Sequence, residues 1–103
     1  MKGYILSNYQ ELMRDIPDFP KKGIQFKDIT PVISSPASFS QVIKEMSSPF
    51  LNKNLQSVVA VEARGYIFGA PIANYLGTGF TPVRKSGKLP WKTSQIEYSL
   101  EYG

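Results

Sequence analysis

The chain has 103 residues, enough for one small domain with a modest core and too few for two complete ones. Hydrophobic content of 42% with 19% charged residues suits a packed soluble domain and argues against disorder, and no apolar run approaches the roughly 20 residues of a membrane span. With no cysteine and no histidine, disulfides, thiol chemistry, the commonest general base and the usual zinc ligands are excluded, while a net charge of +4 favours an anionic partner without naming it.

The opening stretch, "MKGYILSNYQELMRDIPDF", has no long apolar core followed by a small-residue cleavage site, so no secretion signal is expected, and a cytoplasmic location is. Within it, Tyr9, Leu12, Met13 and Ile16 recur at helical spacing. They predict a short amphipathic helix over residues 8–16, interrupted by Pro17. Pro17, Pro20, Gly23 and Pro31 then stand among large apolar residues, which reads as an ordered, irregular arm with one short strand near Ile24 to Phe26. A second helix is predicted from Pro36 to about Met46, with Ser35 as its N-cap and Phe39, Val42, Ile43 and Met46 facing inward.

The run Ser57 to Val61 is apolar without a period of two, which predicts a strand buried on both faces, as in a parallel sheet covered by helices. A helix is expected next, from about Phe68 to Leu76. Phe68, Ile72, Tyr75 and Leu76 share one face of it, Pro71 lies in its first turn or kinks it, and Gly77 stops it. "GFTPVRK" begins a second strand at Gly79, parallel to the first. Helices alternating with buried strands give an α/β class. Residues 1–34 read as an N-terminal arm and 35–103 as the first part of a core. Two parallel strands make a poor closed sheet, and "EYG" follows an alternating stretch that looks like another strand, so this core is expected to be incomplete.

Neither common nucleotide-binding fingerprint, G-x-x-x-x-G-K-[ST] or G-x-G-x-x-G, is present. Basic residues nevertheless follow both strands, Arg64 after the first and Arg84, Lys85 and Lys88 after the second, where open parallel sheets bind ligands. Free backbone N–H groups at the start of a helix would add to an anion site there. Two plainer readings compete: Glu62 and Arg64 pair with each other or with a neighbour at a strand end, and the lysines belong to a solvated loop.

Four blocks, "DIPDFPKKGIQFKDITPV", "VVAVEARGYIFGAPIA", "VRKSGKLP" and "YSLEYG", stand in the order found in the adenine phosphoribosyltransferase family, which the chain resembles over nearly all its length. The resemblance implies the N-terminal hood and first part of a parallel-sheet, Rossmann-like type I phosphoribosyltransferase core. The family makes AMP and pyrophosphate from adenine and phosphoribosyl pyrophosphate, uses Mg2+ bound mainly through the substrate's pyrophosphate, and is usually a homodimer. Carried onto this sequence, the resemblance makes Arg64, Arg84, Lys85 and Lys88 pyrophosphate ligands. Phe26 becomes the aromatic that stacks on adenine, and Lys27 the residue whose main chain meets the base edge. Glu101 and Tyr102 fall in the loop that closes over the reacting centre, with Glu101 exchanging the base's proton. No residue is assigned to a metal.

One departure is large. The acidic pair and Thr/Gly-rich loop that bind the ribose and 5′-phosphate in the family have no counterpart here, so this chain is expected to carry only the N-terminal part and to be inactive alone. A non-catalytic interaction piece is a rival reading. A nucleic-acid-binding module is another, motivated by Trp91, Tyr98 and Tyr102 near lysines but set aside, as is a membrane partner.

Overall fold

The structure is a computed structural model that describes residues 9–90. Its elements are a short helix α1 (Tyr9–Leu12), strands β1 (Arg14–Ile16) and β2 (Phe26–Asp28), helices α2 (Thr30–Ser34) and α3 (Pro36–Ser47), strand β3 (Ser57–Val61), helix α4 (Arg64–Leu76) and strand β4 (Gly79–Val83). A 3-10 turn, Ser48–Phe50, extends α3.

The helix expected over residues 8–16 is only one turn long. Its second half is β1, which pairs antiparallel with β2 and sets Arg14 opposite Asp28, Asp15 opposite Lys27 and Ile16 opposite Phe26. Arg14 Nη2 lies 2.8 Å from Asp28 Oδ2, and Lys27 pairs with Asp15. Those partners are 12 and 14 residues away, so helical spacing within 8–16 carries no trace of them. The predicted strand near Ile24 to Phe26 is likewise displaced towards the C-terminus, to Phe26–Asp28, where those opposite charges are.

Helix α3 begins as its sequence predicts. Pro36 occupies the first helical position and the Ser35 hydroxyl accepts the Ser38 N–H. Ile43 is buried and Phe39 and Val42 are half-buried, whereas Met46, expected inward, is 46% exposed. Among the described residues the buried apolar ones are Val32 of α2, Ile43 of α3, and Ile72 and Ala73 of α4. The core therefore lies between the helices. Phe39 and Phe68 meet edge to face across α3 and α4 with ring centroids 6.1 Å apart.

β3 and β4 pair in parallel, from Ser57 opposite Gly79 to Val61 opposite Val83, with α4 as the crossover. The strand bounds agree with the sequence; the expectation of two buried faces does not. Val58 and Ala60 are half-buried, while Val59 and Val61 are 62% and 47% exposed, since among the described residues α4 covers one face alone. α4 starts four residues earlier than predicted, and Pro71 is interior to it rather than in its first turn. Tyr75, assigned to the inner face, is 45% exposed. The early start follows from the glycines: a Cβ on Gly65 would meet the Ala60 methyl at 3.3 Å, and one on Gly69 would meet it at 2.7 Å and the Phe80 ring at 2.9 Å. Residues that disfavour a helix in isolation let this one lie against the sheet. Gly77 ends α4 at φ 72°, as expected.

Gly69→Ala should therefore destabilise the fold by about 1–3 kcal/mol, the usual cost of overpacking. Urea unfolding monitored by circular dichroism reads this directly, and an unchanged midpoint would show that α4 can stand off the sheet.

Candidate anion site at the ends of the parallel strands

Parallel pairing brings the ends of β3 and β4 to one edge. The segment Glu62–Ala63 follows β3, and Arg64 is the first residue of α4, whose N-cap, Ala63, offers no side-chain cap. The Glu62–Ala63 peptide is cis. The Tyr66 N–H donates to the Ala63 carbonyl at 3.1 Å, which leaves the Arg64 and Gly65 N–H groups at the start of α4 without an intrahelical partner, and the helix dipole adds positive potential to them. Arg64 is exposed and has no ion pair among the described residues.

The opposite turn is built on Glu62. Its Oε1 accepts from Arg84 Nε at 3.1 Å and its Oε2 from the Lys85 backbone N–H at 2.9 Å. Arg84 Nη1 also donates to the Lys88 carbonyl at 3.3 Å, and the Lys88 N–H to the Lys85 carbonyl at 3.0 Å, closing the turn. The Val83 carbonyl accepts both the Glu62 N–H at 3.0 Å and the Tyr66 hydroxyl at 3.1 Å. Each strand end is thus tied to the other by backbone and side chain together. The Lys85 N–H, then Arg84, hold the Glu62 carboxyl below its ordinary pKa, with the Arg84 and Lys88 charges adding to the effect and burial opposing it.

Arg64, Arg84, Lys85 and Lys88 therefore belong to two adjoining turns, as their positions after the strands imply. Of the strand-end pairings weighed from sequence, the one between Glu62 and Arg64 does not form, and Glu62 pairs instead with a neighbour, Arg84 at the end of the adjacent strand. Two contributions escaped sequence reasoning: Glu62 as the link between the turns, and Tyr66 as a second brace. A parallel register ending at Val61 and Val83 is the signal from which the first follows.

Phe26 and Lys27 lie apart from this edge, in the two-stranded sheet. Phe26 is half-buried, edge to face with the 48% exposed Phe19 at a centroid distance of 5.0 Å. The Lys27 ammonium is engaged by Asp15, which leaves its main chain as the group that could meet a ligand. Asp28 accepts from Arg14 and from the Thr30 N–H, and the Thr30 bonds foremost keep its carboxyl below the usual range. Glu101 and Tyr102 lie outside the described residues. So does the further strand suspected from "YSLEYG".

No family model matches the chain. It is 53% identical over 96 residues to an adenine phosphoribosyltransferase of Roseiflexus castenholzii, a match covering 93% of this chain and 56% of that protein. The chain is related to the adenine phosphoribosyltransferases. Among solved structures, the enzyme from Thermoanaerobacter pseudethanolicus superposes with a TM-score of 0.85 at 49% identity, covering 94% of this chain and 56% of that one. The Giardia lamblia enzyme complexed with 9-deazaadenine gives 0.87 at 41% identity, with coverages of 93% and 53%. The likeness expected from the four sequence blocks is thereby established. So is the fold class, an α/β arrangement with a small parallel sheet that forms part of a type I phosphoribosyltransferase core. The chain spans about half the length of the curated relatives it matches.

The arrangement makes a titration prediction. Because the folded pKa of Glu62 lies below its unfolded value, its stabilising contribution is complete above the unfolded pKa of about 4.3 and disappears as pH falls through the folded value. A carbon-13 titration should place the Glu62 midpoint below that of the same residue in the unfolded chain. Arg84→Ala should raise it only part of the way, since the larger contribution, from the Lys85 N–H, remains.

Proposed function

We propose that this chain supplies the adenine and pyrophosphate sides of an adenine phosphoribosyltransferase, the purine-salvage enzyme that forms AMP and pyrophosphate from adenine and phosphoribosyl pyrophosphate. The observation that carries the reading is the pair of basic turns at one edge of the parallel strands, in a chain half identical to such enzymes over almost its whole length. Activity belongs to the completed enzyme, because the chain accounts for about half of its relatives' length and has no ribose 5′-phosphate loop of their kind.

Breaking the bond between ribose C1 and pyrophosphate leaves positive charge on the sugar and negative charge on the departing group. Cations fixed in advance beside the leaving group favour that transition state more than the ground state. Arg64 offers a planar fork from the start of α4, and Arg84, Lys85 and Lys88 offer charge from the facing turn. Phe26 would present a flat apolar surface to adenine, and the Lys27 main chain would meet its polar edge. Glu101 would exchange the base's proton as the new bond forms, in a loop it shares with Tyr102. With no histidine in the chain, a carboxylate is the reasonable choice for that step.

Magnesium enters this proposal as a companion of the substrate. Among the described residues no three potential ligands gather into a cage, and the Glu62 carboxylate is already engaged, so the phosphate oxygens would hold the ion and neutralise part of their own charge. A homodimer and a cytoplasmic location complete the reading, on the strength of the family likeness. No described helix is long and apolar enough to cross a membrane.

The test is a chimera that joins this chain to the part of the Roseiflexus castenholzii enzyme it does not match, assayed for AMP formation. A folded chimera that makes no AMP would reject the assignment. In an active chimera, Arg64→Ala should weaken binding of phosphoribosyl pyrophosphate by roughly 1.5–3 kcal/mol with the circular dichroism spectrum intact. Unaltered affinity would return Arg64 to a solvated helix end. Glu101→Gln should lower turnover by about 10²-fold or more with adenine affinity little changed. Parent-like turnover across the accessible pH range would mean that the proton leaves through water.

A further inference from the structure

Between Ser57 and Pro90 the sequence holds a single acidic residue, Glu62, and it stands among the four cations of the proposed pyrophosphate site. By charge alone it opposes an anion there. Its contacts say what it contributes instead. Both carboxylate oxygens are occupied, Oε1 by Arg84 and Oε2 by the Lys85 backbone, and the first of these bonds links the segment after β3 to the segment after β4 across 22 residues. Each oxygen thus already accepts a hydrogen bond, and the Lys85 N–H, then Arg84, hold the carboxyl below its ordinary pKa, which favours a bracing role over proton uptake.

We propose that Glu62 is a positioning residue for pyrophosphate: it holds the turn bearing Lys85 and Lys88 beside the start of α4, where Arg64 stands. The inference rests on the pyrophosphate reading of that edge. Lysine side chains on a free loop must be ordered when the anion binds, and each long side chain resists that ordering. A turn already fixed at its backbone by Glu62, and closed by the Lys88 N–H on the Lys85 carbonyl, has less to lose. Preorganisation and charge thus pull in opposite directions at this residue, and the sign of a mutation's effect separates them.

The experiment is calorimetric titration of the 103-residue chain with inorganic pyrophosphate, for the parent, Glu62→Ala and Glu62→Gln, each checked by circular dichroism. Glu62→Ala raises the net positive charge by one, yet its affinity should fall by about tenfold or more, the scale of a lost charge-assisted contact. Glu62→Gln keeps an acceptor for the Lys85 N–H while losing the ion pair with Arg84, so it should fall less. In nitrogen-15 spectra the Lys85 amide should move in Glu62→Ala and stay nearer its parent position in Glu62→Gln. Unchanged or tighter binding by a folded Glu62→Ala would overturn the proposal, leaving Glu62 as a charge that merely opposes the anion. Should Glu62→Ala not fold, Glu62→Gln decides by the same signs. Failure of the parent itself to bind pyrophosphate would overturn the site reading and this inference together, whereas a binding parent with the wrong order of variants would overturn this inference alone.

Discussion

The parallel register of β3 and β4 is the constraint on which the described structure turns. Val61 and Val83 end the two strands at the same level, so the residues that follow leave the sheet side by side. Only then can one carboxylate reach across to Arg84 and Lys85. A shift of one residue would carry Arg84 away from Glu62 and turn Phe80 and Pro82 from the helix side of the sheet. Register, packing and site are therefore one specification. The helix between the strands enforces it: Gly69 sits so close to Ala60 and Phe80 that α4 and both strands fit in one relative placement.

The electrostatics of this edge follow from that geometry. Four positive groups in adjoining turns repel one another, and a single acid in their midst both relieves the repulsion and decides where they stand. Arg84 is committed in part to holding the turn, through Nε on Glu62 and Nη1 on the Lys88 carbonyl, whereas Arg64 has no ion pair among the described residues. One cation thus braces the turn while another is free of ion pairs among the described residues. In the β1–β2 ribbon, Phe19 and Phe26 meet edge to face and Asp15 engages the Lys27 ammonium.

What could be read from the sequence was whatever depends on neighbours along the chain. Ser35 and Pro36 announce the start of α3, Gly77 announces the end of α4, and the apolar run from Ser57 gives β3 its bounds. The basic residues were legible as a cluster because each follows a strand. Contacts between distant segments were not legible. The spacing of Tyr9, Leu12, Met13 and Ile16 fits a helix until Arg14 and Asp15 find Asp28 and Lys27. Gly65 and Gly69 argue against a helix until Ala60 is placed beneath them. Met46 and Tyr75 fit a helical face by spacing, yet both are exposed, because periodicity does not say how far the opposing surface extends. Glu62 was legible as a strand-end acid with a neighbour to pair with, although that neighbour, Arg84, comes from the other strand.

The four charges of β1 and β2 have a consequence beyond holding two short strands together. Their exposed ion pairs contribute little stability each. They do discriminate between alignments. Slipping the ladder by one residue in one direction sets Arg14 against Lys27, and in the other direction Asp15 against Asp28, so both neighbouring alignments confront like with like. Only the observed one alternates in sign. Since a one-residue slip also reverses which side of the ribbon each residue occupies, this charge code selects the face on which Phe26 emerges. The ribbon thus carries a key cut in charges: exchanging the two members of one pair keeps that pair attractive yet makes both slipped alignments attractive as well, whereas exchanging both pairs together keeps the discrimination.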